Sequence, residues 1–184
     1  MQQTSGSLNA IMGITPLRFG IRLILGFVIL TGVFEASRGS AFETFLVEDL
    51  ILAPTVHLID VVTPKEHVEL IGRTLASPGS HLRITRGCEG TEMFLLLLSA
   101  ILAFPTTLRH RVRGLLWGTS LVYALTVMRL MALHYILRYS PSAWEALHGL
   151  VMPLAPIVVI GLYFLRWSGY SPQPAISESH AQPV

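Results

Sequence analysis

One cysteine in 184 residues leaves no partner for an internal disulfide. With no C-x-x-C pair and no Cys/His spacing of a zinc module, dithiol redox chemistry and structural zinc are both excluded. Charge is scarce as well. Asp, Glu, Lys and Arg make up 13% of the chain against 52% hydrophobic residues, and the mean hydropathy of +0.59 is too apolar for an ordinary soluble domain. Lysine is nearly absent. The arginines that supply almost all the positive charge are scattered over the ends of apolar runs, so a net charge of +2 and a pI near 9.0 do not describe a nucleic-acid surface. There is no internal repeat. These shortages leave a single membrane-embedded domain, residues 1–168, and a tail, 169–184, whose Ser, Pro, Gln and Ala content predicts a disordered cytoplasmic segment.

What the chain does have is long apolar runs. A spanning helix needs roughly 20 apolar residues, and segments at about 17–34, 114–136 and 148–166 approach that, with a fourth at about 90–108 whose apolar centre is shorter. Arg109, Arg111 and Arg113 crowd one connection, and four spans place Arg18, Arg22 and Arg166 on the same side of the membrane. By the positive-inside rule that side is cytoplasmic, which puts residues 35–89 and 137–147 outside. Arg18 and Arg22 before an apolar stretch, with the small-x-small site Gly39-Ser40-Ala41, also fit a signal peptide, but the stretch is long for one. The expectation is an all-α, multi-pass protein of the cytoplasmic (inner) membrane with about four transmembrane helices.

Between the first two spans, "AFETFLVEDLILAPTVHLIDVV" (41–62) is apolar yet carries Glu43, Glu48, Asp49 and Asp60, charges too costly for hydrocarbon. It reads as an extracytoplasmic interfacial helix. After it, Pro78-Gly79 separates two partly alternating runs and predicts a small hairpin.

Depth then selects the candidate chemistry. Arg129 lies fifteen residues into the third span, roughly 22 Å from its cytoplasmic edge at 1.5 Å per residue. Cys88 opens the second span and His148 the fourth, so three residues remote in sequence reach one outer level. An arginine inside a span costs on the order of 2.5–3.5 kcal/mol on insertion scales and is a functional candidate by default. A structural reading stands beside each: an inert buried thiol, an arginine paired with Glu92 or Glu145, a histidine among headgroups. His134, five residues after Arg129, points some 140° away around the helix. Glu92 shares a face with Cys88 if the helix is continuous.

"GCEG" at 87–90, "VMRL" at 127–130 and "LHGL" at 147–150 resemble, in this order and topology, the exosortase/archaeosortase family of membrane cysteine transpeptidases. The resemblance covers about residues 65–166 and is similar to a short form such as the exosortase H subtype. It implies a catalytic triad of Cys88, Arg129 and His148, with Glu92 and Thr126 as supporting residues. It also implies a cysteine protease/transpeptidase that cleaves the C-terminal sorting signal of exported proteins through a thioester and transfers them to an acceptor. The implied partners are those substrates and the lipid bilayer, with no nucleic acid, and neither a cofactor nor a metal is called for. The sequence departs from the family pattern at two positions. Glu89 follows the cysteine where many members have Ser, Thr or Asn, and Thr126 stands three before the arginine where many have Asn. The alternative is a non-enzymatic membrane subunit that binds haem or quinone through His134 and His148 or grips a partner helix. A metal held by Cys88, His134 and His148 is a third, weaker reading, since the spacing matches no common ligand pattern.

Overall fold

The computed structural model describes residues 16–169 apart from 79, 86 and 88. Helix α1 (Pro16–Ala36) is apolar almost all round, and Leu17, Ile21, Leu25, Val28 and Val33 are exposed along it, as a lipid-facing helix requires. Helix α2 (Ala41–Thr44) is capped by Ser40, whose hydroxyl accepts from the Glu43 N–H at 3.4 Å. It runs into a π-helical stretch, π1 (Phe45–Leu52), and then α3 (Ala53–Val62). The segment expected to be interfacial is therefore helical throughout.

The all-α expectation needs correction, because a three-stranded antiparallel sheet follows: β1 (Glu69–Ile71), β2 (Thr74–Ser77) and β3 (Ser80–Arg83), in that order. The expected hairpin at Pro78 is present as β2–β3, with Ser77 opposite Ser80. Its partner β1 is set by a second tight turn at Gly72-Arg73, which pairs Ile71 with Thr74.

Helix α4 (Thr91–Ala103) is shorter than the 90–108 run suggests. Pro105 drives the preceding Phe104 to extended backbone, φ −79° and ψ 130°, and ends the helix. Thirteen residues reach only about 20 Å. Helix α5 (Leu108–Tyr139) is longer than expected at both ends, since Leu108 to Arg113 are good helix formers despite their charge. A short 3₁₀ turn (Pro141–Ala143), α6 (Trp144–Ala146), a second π-helical stretch π2 (Leu147–Val151) and α7 (Met152–Gly169) complete the described chain. Three helical segments, Leu17–Ala36, Leu108–Tyr139 and Pro141–Gly169, are long and apolar enough to cross a membrane. Beyond Gly169 the expected tail lies outside the described residues.

Two cores lie at opposite ends of α5. Toward its C-terminus, Val47, Leu52, Ile59, Leu75, Leu82, Leu130 and Leu133 join π1, α3, the sheet and α5 in one cluster. Toward its N-terminus, Leu97, Ile101, Val122, Ile160 and Trp167 join α4, α5 and α7. Close approach there depends on glycine. A Cβ at Gly114 would lie 2.4 Å from Trp167 Nε1, and one at Gly118 would lie 2.8 Å from Leu97 Cδ2.

Candidate functional site

The loop that enters α4 has glycine at 87 and 90, both in the left-handed region with φ of 81° and 78°. Gly90 is the N-cap of α4, and a Cβ there would sit 2.2 Å from Thr126 Oγ1, so only glycine lets the loop lie flush against α5. Thr126 is buried and its hydroxyl donates back to the Val122 carbonyl at 2.8 Å. One turn further along the same side is Arg129, 7% exposed. Gly90 therefore abuts α5 one turn before the buried Arg129.

Cys88 itself lies outside the described residues. Glu92 is exposed on the first turn of α4, and its carboxylate oxygens are 3.9 and 4.0 Å from where a Gly87 Cβ would stand. The carboxylate thus overlies the loop. His148 is half-buried on π2 and lies edge-on to Trp144, with ring centroids 4.7 Å apart. Trp144 in turn packs against the core containing Leu130 and Leu133.

A set of buried charges flanks the loop, and the sequence reading did not foresee it. Glu43 accepts from the Gly39 N–H at 2.6 Å and from Arg38 Nη1 at 3.1 Å, and it pairs with Arg73 Nη2 at 2.9 Å. Glu89, 1% exposed, has its Oε1 3.5 Å from Arg73 Nη1 and 3.6 Å from Arg38 Nη1. Arg38 also binds Glu35 at 2.7 Å, and Arg73 reaches Glu48 on π1 at 3.6 Å. The Gly39 N–H, then Arg73, hold the Glu43 carboxyl below the usual range, against the opposing effect of burial. Arg38 and Arg73 are raised, chiefly by their bonds to Glu35 and Glu43 respectively. No periodicity could have shown this set, because its members come from four separate segments.

His134, fully buried, faces a different cluster. Its Nε2 is 3.8 Å from Glu66 Oε2, and neither ring nitrogen has a hydrogen bond among the described residues. Glu66 also accepts from the Tyr139 hydroxyl and lies 3.5 Å from Arg138 Nε. Among the described residues no three His, Cys, Asp or Glu side chains converge as a metal-ligand set. The chain matches no protein-family model, no curated protein and no solved structure.

Proposed function

We propose that the chain is a membrane-embedded cysteine protease/transpeptidase of the exosortase/archaeosortase type, acting on the C-terminal sorting signal of exported proteins at the extracytoplasmic side. The observation that carries this reading is the fit of Gly90, two residues after Cys88, against Thr126, which lies one helical turn before the buried Arg129 on α5. An arginine kept inside an apolar bundle is expensive, which makes it a functional candidate by default. Placement of His148 on a π-helical stretch adds support, because such irregularities are frequent at functional sites.

In this reaction the Cys88 thiolate attacks the scissile carbonyl and forms a C–S bond, and Arg129 stabilises the oxyanion of the tetrahedral intermediate. The C–N bond breaks as His148 gives its proton to the departing amine, leaving a thioester. An acceptor nucleophile then gives its proton to His148 as it attacks the thioester, and the thiolate leaves.

The test is co-expression with a tagged exported protein that carries a C-terminal signal, with tail loss followed by mass. Cys88→Ala is expected to abolish processing, and processing that survives in it would overturn the reading. Arg129→Lys keeps the charge but loses the planar fork of donors. It is expected to insert normally and process about a hundredfold more slowly. Full activity in Arg129→Lys, with loss of protein in Arg129→Ala, would make Arg129 a structural prop. Sidedness is tested by single thiols in a Cys88→Ala background. One at Ser142 should react with impermeant maleimide on intact cells and one at Thr107 should not.

A further inference from the structure

Glu89 is the residue next to the proposed nucleophile, and its environment is unusual for a carboxylate. It is 1% exposed, and neither carboxylate oxygen has a hydrogen bond among the described residues. Taking a charge out of water costs several kcal/mol unless opposite charge surrounds it. Here that charge comes from Arg38, just past the end of α1, and Arg73, in the β1–β2 turn, at 3.6 and 3.5 Å. The same two guanidinium groups bind the buried Glu43 at 3.1 and 2.9 Å. Arg38, Arg73, Glu43 and Glu89 form a quartet, which Glu35 on Arg38 and Glu48 on Arg73 extend to two positive and four negative groups. Neutralising Glu89 releases the loop from both guanidinium groups, while Arg38 keeps Glu35 and Glu43 and Arg73 keeps Glu43 and Glu48.

The loop needs such a fastening. Glycines at 87 and 90 make its backbone permissive, so the chain between them is not held by its own conformational preferences. On one side Gly90 abuts Thr126 of α5, and on the other Glu89 is gripped by the two arginines. We infer that the Arg38–Glu89–Arg73 clasp makes Glu89 a positioning residue for the proposed reaction, which fixes the Glu89–Gly90 end of the loop against α5. The inference rests on the proposed role of Cys88 and deepens it, by making the α1 exit and the sheet part of the site. The clasp does not touch substrate. Its loss lowers kcat and leaves KM unchanged, because a misplaced nucleophile slows chemistry without weakening binding.

Cys88 is the chain's only cysteine, so alkylation of the full-length protein in nanodiscs by iodoacetamide reads this one thiol. In Glu89→Gln, kcat for processing is expected to fall tenfold or more with KM within twofold of wild type. Alkylation of Cys88 is expected to rise threefold or more as the loop loosens, at a melting midpoint within a few degrees of wild type. A more reactive thiol with slower catalysis in a folded protein is a combination that a merely structural role does not produce. Glu89→Asp, which keeps the charge, is expected to recover part of both changes. If Glu89→Gln accumulates poorly, Arg73→Gln loosens the clasp from its more exposed side while Glu43 keeps Arg38 and Gly39, and a threefold fall in kcat at constant KM is expected. Wild-type kcat and alkylation in a folded Glu89→Gln, or in Arg73→Gln where that variant is the one measured, would overturn the clasp. Processing in Cys88→Ala would instead overturn the enzyme reading, and the alkylation arm, which needs no substrate, would still test the clasp.

Discussion

The two ends of α5 are packed by different physics. At its N-terminal end the contacts are rings: Phe104 lies edge-on to Phe19, Phe164 and Trp167, and His110 stacks on Trp167 at 5.0 Å. At its C-terminal end the apolar core is bordered by buried carboxylates, Glu43, Glu66 and Glu89, each met by arginine or tyrosine. Ring packing is a matter of shape and volume. Paired charges fix direction and distance, and they fail together when one partner is lost. The proposed chemistry sits at the second kind of end, where small displacements are resisted by charge as well as by packing.

The sharpest way to break this contrast is at the seam. Gly90→Val adds a β-branched side chain at a φ of 78° and places its Cβ inside the volume of Thr126. Left-handed backbone and overpacking together cost about 3–5 kcal/mol. Folded protein in the membrane should be largely lost, as measured by abundance and by thermal melting in detergent. Removing a member of the charged quartet is next. Glu43→Ala removes the carboxylate that Arg38 and Arg73 share, at a cost of about 1–3 kcal/mol, less than for a fully buried pair because the Arg73 side chain is 30% exposed and Glu35, Glu48 and Glu89 remain as partners.

Acid should have a parallel effect. The Glu43 carboxyl is held below its ordinary value of 4.5, so its stabilisation is fully present above that pH and is lost as pH falls below it toward the depressed value. The melting midpoint of wild type should drop across that acid range, and Glu43→Gln should flatten the part of the slope that Glu43 supplies.

The aromatic end should answer to volume alone. Gly114→Ala puts a methyl group 2.4 Å from the Trp167 indole nitrogen, and about 1–3 kcal/mol of destabilisation is expected. The smallest effect is expected from His110→Ala, about 0.5–1.5 kcal/mol for the lost stack on Trp167, with processing unchanged.

Hydropathy made the three long helices legible, and Arg129 stood out because a charge inside a span is conspicuous. Their ends were less so. The arginines from 109 to 113 suggested a loop, but charge does not stop a helix, whereas Pro105 does, and α4 ends there. Pro78 announced β2–β3, while β1 was hidden because three residues, Glu69–Ile71, are too few for an alternating pattern to register. The quartet was invisible for a different reason. Arg38, Arg73 and Glu89 are 35 and 16 residues apart in turn, at distances no helical or strand period relates. Glu89 and Thr126 both bear on the same loop, Glu89 through the arginines and Thr126 through Gly90.

The length of α5 has a consequence for where the membrane itself enters the chemistry. Its 32 residues extend about 48 Å, against a hydrocarbon slab of about 30 Å. A rod that overshoots its slab tilts or stands proud by an amount the acyl chains decide. Arg129 is about 32 Å along that rod from Leu108. Longer acyl chains would draw it below the headgroups, and shorter ones would lift it toward water. Bilayer thickness would then act on this protein as a vertical ruler, setting the depth at which the guanidinium sits.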